Sequence, residues 1–122
     1  MDTPKIFESE YRFCLLLWEH EPINSTQLAA LCKEKLGWSK ATTYTVIRRL
    51  ADRGVLKNEN ATVTSLVTKQ EVQRSRLTEM VDETFEGSMP AFIAAFSRSK
   101  KLTRDEVAQL KALIDNYEED RT

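Results

Sequence analysis

The periodicity of the chain changes at Gly54, and that change limits the folds open to it. Before Gly54, apolar residues recur every three or four positions, the spacing of one face of an α-helix. After it, the segment from Val55 to Val67 is rich in β-branched residues, which suit extended backbone, and Asn58-Glu59-Asn60 predicts a turn between two short strands. The helical part divides into three. Glu8 to His20 carries Tyr11, Cys14, Leu15 and Trp18 at helical spacing, with Leu16 and Leu17 widening the stripe, and Pro22 breaks the pattern. Asn24 or Ser25 can cap a second helix with Leu28, Ala29, Leu31, Cys32 and Leu36 on its apolar side, and Gly37 stops it in a left-handed conformation. Trp38 and Ser39 make a tight turn into a third helix, which Gly54 ends in the same way.

Two helices joined by so short a turn are a helix-turn-helix arrangement, and the hairpin that follows makes it a winged one. The third helix has two faces. Thr43, Val46, Ile47 and Leu50 share the side expected to face a core. Ala41, Thr45 and Arg48 fall opposite, flanked by Thr42, Tyr44 and Arg49. That outer face is small and hydroxylated at its start and cationic at its end. Short side chains allow close approach to a major groove, and Thr or Arg can bond base edges or phosphates. A solvated polar face would have a similar composition.

Net charge of the chain is -1, which by itself does not favour nucleic acid, but the distribution is uneven. From Lys33 to Lys57, the seven cations Lys33, Lys35, Lys40, Arg48, Arg49, Arg53 and Lys57 face only Glu34 and Asp52, a local charge of +5. From Lys69 onward, nine cations face eleven acids, a balance of -2. No apolar run approaches the roughly 18 residues of a membrane span, and the first residues lack a signal-peptide pattern, so a cytoplasmic protein without membrane insertion is expected. Cys14, Cys32 and the single His20 have no metal-ligand spacing. No metal, cofactor or catalytic residue is expected, since no activated nucleophile, ligand cluster or glycine-rich phosphate loop is present.

The fold expected is mainly α with a small β-hairpin: a winged helix-turn-helix domain over 1–68 and a helical dimerisation domain over 69–122. In the second, Leu77, Met80, Val81, Thr84 and Phe85 form one stripe ended by Gly87. Ser88 caps a short helix with Met89, Phe92, Ile93 and Phe96 on one face. Ser97 to Lys101 reads as a connector, and the capping box Thr103-Arg104-Asp105-Glu106 opens a last helix with Val107, Leu110, Leu113, Ile114 and Tyr117 on one side. Three stripes on such short helices have too little partner surface in one chain, which points to a second copy.

With these elements placed, the chain resembles the penicillinase-repressor family, the BlaI/MecI/CopY group of bacterial winged-helix regulators. The resemblance covers nearly the whole chain. It rests on Glu10-Tyr11 and Leu17-Trp18, Trp38-Ser39, Thr42 with Thr45, Arg49-Leu50, Gly54-Val55-Leu56, Leu66-Val67, Phe85-Glu86-Gly87-Ser88, Leu102-Thr103, Asp105-Glu106 and Leu110-Lys111. Such resemblance implies a homodimer on a pseudo-palindromic double-stranded operator, and induction by proteolysis triggered by a membrane metalloprotease sensor. Ala95-Phe96 stands where the family pattern has Asn-Phe in its cleavage region. The family often has Lys just before the first Thr of the third helix. This chain has Ala41 there and Lys40 one residue earlier, which turns the side chain by about 100° around the helix. The wing is short and its tip carries no cation, and the cysteine cluster of copper-responsive members is absent.

The leading expectation is a dimeric transcriptional repressor in which Thr42, Thr45 and Arg48 approach base edges. Lys40, Tyr44, Arg49 and Arg53 would position the backbone, with Ala41 permitting close approach; Arg49 could instead brace the domain internally. Leu77, Met80, Val81, Phe85, Met89, Phe92, Ile93, Phe96, Leu110, Leu113 and Ile114 would form the dimer surface. The alternative, suggested by a wing tip without a cation, is a winged helix serving as a protein-interaction adaptor.

Overall fold

Helices in this chain begin where a side chain can accept the free amides of the first turn. In the computed structural model, which describes residues 3–117, α1 spans Glu8–His20, and Glu10 Oε1 accepts from Phe7 N at 2.9 Å. The short strand β1 (Ile23–Asn24) leads into α2 (Ser25–Leu36), where Asn24 Oδ1 accepts from Thr26 N at 2.8 Å. Gly37, at φ 71°, closes α2 with its amide directed back to the last turn, and only a residue without Cβ adopts that angle without strain. Ser39 Oγ then accepts from Thr42 N at 3.1 Å and opens α3 (Lys40–Asp52). The outermost parts of the two expected domains, 1–2 and 118–122, lie outside the described residues.

Strands β2 (Leu56–Glu59) and β3 (Thr62–Ser65) form the expected wing, but the sheet has three strands in the order β1-β3-β2, all antiparallel. A two-residue strand has no period of its own to read. Ile23 and Asn24 become a strand only by pairing with Val63 and Thr62, and the amide of Ser25 adds a bond to the Ala61 carbonyl at 2.8 Å. The hairpin turn also shifts from the expected position. Glu59 pairs with Thr62, leaving Asn60 and Ala61 as a two-residue loop with φ of 51° and 64°. Positive φ at both central residues matches the right-handed twist of the strands.

Phe13, Leu17, Leu28, Cys32, Leu50, Leu56 and Val63 pack in the core of this domain with little or no exposed surface. The buried stripe of α1 is turned from the one expected: Phe13, Cys14 and Leu17 point inward, while Tyr11 and Trp18 lie half-buried at its edge. The indole requires a partner for its N–H, and at the edge Trp18 Nε1 donates to Val67 O at 3.0 Å. Glu21 holds the last residue of β3, its carboxylate accepting from Ser65 N at 2.7 Å and Ser65 Oγ at 2.8 Å.

Thr68 Oγ1 accepts from Glu71 N at 3.0 Å and starts α4 (Lys69–Phe85); α5 (Met89–Ser99) and α6 (Arg104–Asp115) follow. The chain forms two compact units, Met1–Leu77 and Thr78–Thr122, so the first turns of α4 belong to the winged helix, with Val72 in its core. Ser97 and Ser99, expected in the connector, complete the last turn of α5 instead. No helix among the described residues is long and apolar enough to cross a membrane.

Ala61 carries a Cβ in a left-handed conformation that glycine occupies freely. Ala61→Gly should raise stability by about 0.5–1 kcal/mol, the strain removed exceeding the entropy lost. Urea unfolding of the two chains checks this; a lower midpoint for the glycine variant would mean that Ala61 is not strained.

Candidate nucleic-acid interface

The inner face of α3 is buried as Thr43, Val46, Ile47 and Leu50. By helical geometry the remaining residues must face outward. Lys40, Ala41, Thr42, Arg48 and Arg49 are exposed, and Tyr44 and Thr45 are half-buried beside them. The two outward threonines differ in what they can offer. Ser39 Oγ donates to Thr42 Oγ1 at 2.9 Å, which leaves the Thr42 proton for an acceptor. Thr45 Oγ1 donates to Ala41 O at 3.0 Å, which leaves its lone pairs for a donor. One turn of helix therefore presents a donor and an acceptor, and Arg48 follows on the same face with a guanidinium fork.

A second group forms where α2 and α3 begin. The Tyr44 hydroxyl lies 3.5 Å from Thr26 Oγ1, and Lys40 Nζ stands 5.9 Å from the Tyr44 ring centroid. Hydrogen bonds with Thr26 and Ser25, followed by the charge of Lys40, hold the phenol below its usual pKa despite some opposition from burial. Two neighbouring hydroxyls with an ammonium over the face of the same ring are groups that suit a phosphate oxygen. Thr26 was not legible in the sequence as part of this group, because it becomes a neighbour of Tyr44 only once α2 and α3 have packed.

Arg53 has a different position from Arg48 and Arg49. Its Nη1 donates to Glu10 Oε1 at 3.0 Å and to the Lys5 carbonyl at 2.9 Å, its Nη2 donates to Glu10 Oε2, and its guanidinium lies 5.3 Å from the Phe7 ring centroid. Arg53 thus braces the end of α3 against α1, the role considered above for Arg49, while Arg49 remains exposed. Glu10 is buried, which opposes its ionisation. The Arg53 hydrogen bond, the Phe7 amide and the charges of Arg53 and Arg49 outweigh that and hold its carboxyl below the usual range. An acid at Glu10, on the same helical face as Phe13, was the one available sign that a cation must join it there.

Within β2, Lys57 lies 3.8 Å from Glu59, both exposed, so the one cation of the wing already has an anion beside it. Cys14 and Cys32 are buried, and burial, assisted by the nearby Glu10 charge and opposed by Arg53, pushes the Cys14 thiol up to about 12. Burial also raises Cys32, against a hydrogen bond with Thr43. His20 Nδ1 lies 2.8 Å from Leu16 O within its own helix.

Of the residues expected at a dimer surface, Leu77, Met80, Met89, Ile93, Phe96, Leu110, Leu113 and Ile114 are exposed. Phe85 and Phe92 are half-buried and meet edge-on, 5.7 Å between ring centroids. Val81 is buried within the chain itself. Among the described residues α5 and α6 contain no buried side chain, and Met89, Ile93, Leu110, Leu113, Ile114 and Tyr117 line an open apolar groove of about 870 Å³. Ala95 and Phe96 lie inside α5 with exposed side chains.

The sequence profile of the penicillinase repressors matches residues 6–116, across both units. The chain belongs to that family. A penicillinase repressor of Bacillus licheniformis is 21% identical over 119 residues, covering 93% of this chain and 92% of the relative. An uncharacterized 16.5 kDa protein in the ptsI 3′ region of Latilactobacillus sakei is 25% identical over 117 residues, covering 93% and 80%. Members of this family are transcriptional repressors and not enzymes.

The Glu10–Arg53 pair makes a pH-dependent contribution with a definite sign. A carboxyl whose folded pKa is lowered stabilises fully above its unfolded value of about 4.3, and the stabilisation is lost as pH falls through the folded value. Glu10→Gln should cost about 1–3 kcal/mol at pH 7, because Arg53 is left half-buried without its anion. Denaturant melts at pH 7 and below pH 4 should show the gap between wild type and variant closing at low pH. A gap of equal size at both would show that the charge of Glu10 contributes nothing.

Proposed function

We propose that the chain is a dimeric repressor that reads a pseudo-palindromic operator with the outer face of α3. The observation that carries this reading is the outer face itself: Thr42 with a free proton, Thr45 with free lone pairs and exposed Arg48, presented by a helix whose opposite face is fixed in a core. Lys40, Tyr44 and Thr26 would engage a phosphate beside it, and Arg49 another. Arg53 would support α3 from within the domain. The family supports the repressor role, and the apolar groove of the second unit supports a second copy as its partner.

Induction by cleavage in the second unit fits the same reading. Affinity for two half-sites depends on joining two winged helices, so separating α6 from the rest would lower occupancy without touching α3. Ala95-Phe96 would have to leave its helix to enter an extended protease cleft, whereas residues 100–103 already lie outside regular helix.

Binding isotherms on the chain's own promoter DNA and on random DNA, at several salt concentrations, test the DNA side. Thr45→Ala or Arg48→Ala should cost about 1–3 kcal/mol on operator alone if each contacts a base edge. Lys40→Ala should weaken all sequences and reduce the salt slope, since a lost phosphate contact releases fewer counterions. Unchanged operator affinity in both Thr45→Ala and Arg48→Ala would remove α3 from recognition, and a chain with no affinity for DNA would favour the adaptor reading.

For the second unit, Leu113→Glu places a charge in the groove at a side chain that is 68% exposed, so folding should survive. Light scattering should report a monomer, with operator affinity lower by roughly 10²-fold or more. Cleavage at a protease site engineered into 100–103 should have the same effect while the DNA-binding fragment stays helical. A Leu113→Glu chain that remained dimeric would place the interface elsewhere.

A further inference from the structure

Ser39 is exposed, yet the chain around it is firmly held. Trp38, just before it, stacks on the fully buried Phe13 ring, 6.0 Å between centroids and 4° from parallel. The Ser39 carbonyl accepts twice from the buried Thr43, from N at 3.0 Å and from Oγ1 at 3.2 Å. Between these anchors the Ser39 hydroxyl engages Thr42 twice. Its Oγ accepts from Thr42 N at 3.1 Å and donates to Thr42 Oγ1 at 2.9 Å. The first bond caps α3. The second adds nothing to the helix backbone; it fills a lone pair on Thr42 and leaves that hydroxyl's proton facing out. One lone pair remains, but a hydroxyl that accepts a hydrogen bond donates more strongly, because bonded groups polarise each other. Thr45, three residues on, has the opposite polarity, its proton spent on Ala41 O at 3.0 Å.

We propose that Ser39 is a positioning residue that selects the class of base read by Thr42. By filling a lone pair of Thr42 it directs the proton outward, so Thr42 meets a base with a major-groove acceptor. Guanine offers O6 and N7 there, thymine O4 and adenine N7, whereas cytosine offers only its N4 amino donor and is disfavoured. This inference rests on the reading of the outer face of α3 as the surface that meets operator bases. Ser39 then has two separable duties. Capping needs only an acceptor, for which aspartate serves as well as serine. Setting the polarity of Thr42 needs a donor, which a carboxylate lacks. Ser39→Asp would keep the cap, take the Thr42 proton and turn the Thr42 lone pairs outward.

The test uses the full chain and its own promoter DNA, with each of the four base pairs placed in turn at each operator position. The pair reached by Thr42 is the one at which Thr42→Ala loses discrimination. Wild type should favour one orientation of a G·C pair there by roughly fivefold, the one that turns guanine toward Thr42. Ser39→Asp should favour the inverted pair by a similar factor, and Ser39→Thr, which keeps both bonds, should retain the wild-type order. The added charge repels both orientations alike and cancels in the ratio. Ser39→Asp in the Thr42→Ala background should show no preference at that pair. Discrimination at the pair read by Thr45 should be unchanged. Circular dichroism should show every variant folded. A Ser39→Asp chain with the wild-type order would overturn the proposal. So would a Thr42→Ala chain that lost affinity equally for all sequences, since Thr42 would then be a phosphate contact. In either case, loss of operator preference in Thr45→Ala or Arg48→Ala would leave the repressor reading standing. A wild-type chain that bound operator and random DNA equally would remove that reading, and this inference with it.

Discussion

The core holds α3 through Thr43, Val46, Ile47 and Leu50, and two of these, Thr43 and Leu50, have no exposed surface at all. Successive residues turn about 100° around a helix, so four fixed positions leave the remaining residues no choice of direction. Ala41, Thr45 and Arg48 face outward because the others cannot. The same attachment determines which hydroxyls are free. Thr43, on the inner face, donates to Ser39 O and is spent on the fold, whereas Thr42 and Thr45 each keep one half of their hydrogen-bonding capacity. A surface set in this way is preorganised: little side-chain freedom has to be lost when a ligand arrives.

Charge in this region is divided between two uses. Arg53 is bound to the buried Glu10 and to the Lys5 carbonyl, and Lys57 lies beside Glu59. The local excess of cations visible in the sequence therefore overstates what is available to an anionic partner. Lys33 and Lys35 remain exposed on α2, and Lys40, Arg48 and Arg49 on α3. With the exposed cations on α2 and α3 rather than the wing, the wing's contribution to the proposed DNA contact is small, which suits its short loop of Asn60 and Ala61.

The parts of this architecture that were legible in the sequence are those with a local signature. The inner stripe of α3, the caps at Asn24, Ser39 and Thr103, and the stop at Gly37 follow from helical spacing and from single residues with one favoured conformation. What escaped depends on partners far along the chain. β1 exists only against β3, Glu10 reaches Arg53 across 43 positions, and Arg76 reaches Glu8 across 68. Periodicity carries no information about such pairs. It also misplaced the α1 stripe, because Trp18 counts as apolar while its N–H, bonded to the Val67 carbonyl, holds it at the domain edge. At the candidate site, the α3 side chains could be named from the sequence, but Thr26 could not, nor could the diversion of Arg53 into the domain.

The second unit shows the opposite economy from the first. A winged helix with three strands and the first turns of α4 closes a core around Phe13, Leu17 and Leu50. In α5 and α6 no side chain is buried, and Leu113, Ile114 and Tyr117 are each about two-thirds exposed or more (68%, 72% and 70%). Apolar area left in water at that density is a reservoir of association energy, since each Å² covered by a partner contributes about 25 cal/mol before the costs of association. On the proposed reading this separates two quantities that a single domain would combine. The winged helix sets which sequence is read, and the second unit sets the concentration at which two readers act together. A cut or a charge in α5–α6 can then change occupancy of an operator while leaving every DNA-facing side chain in place, which is what a switchable repressor requires.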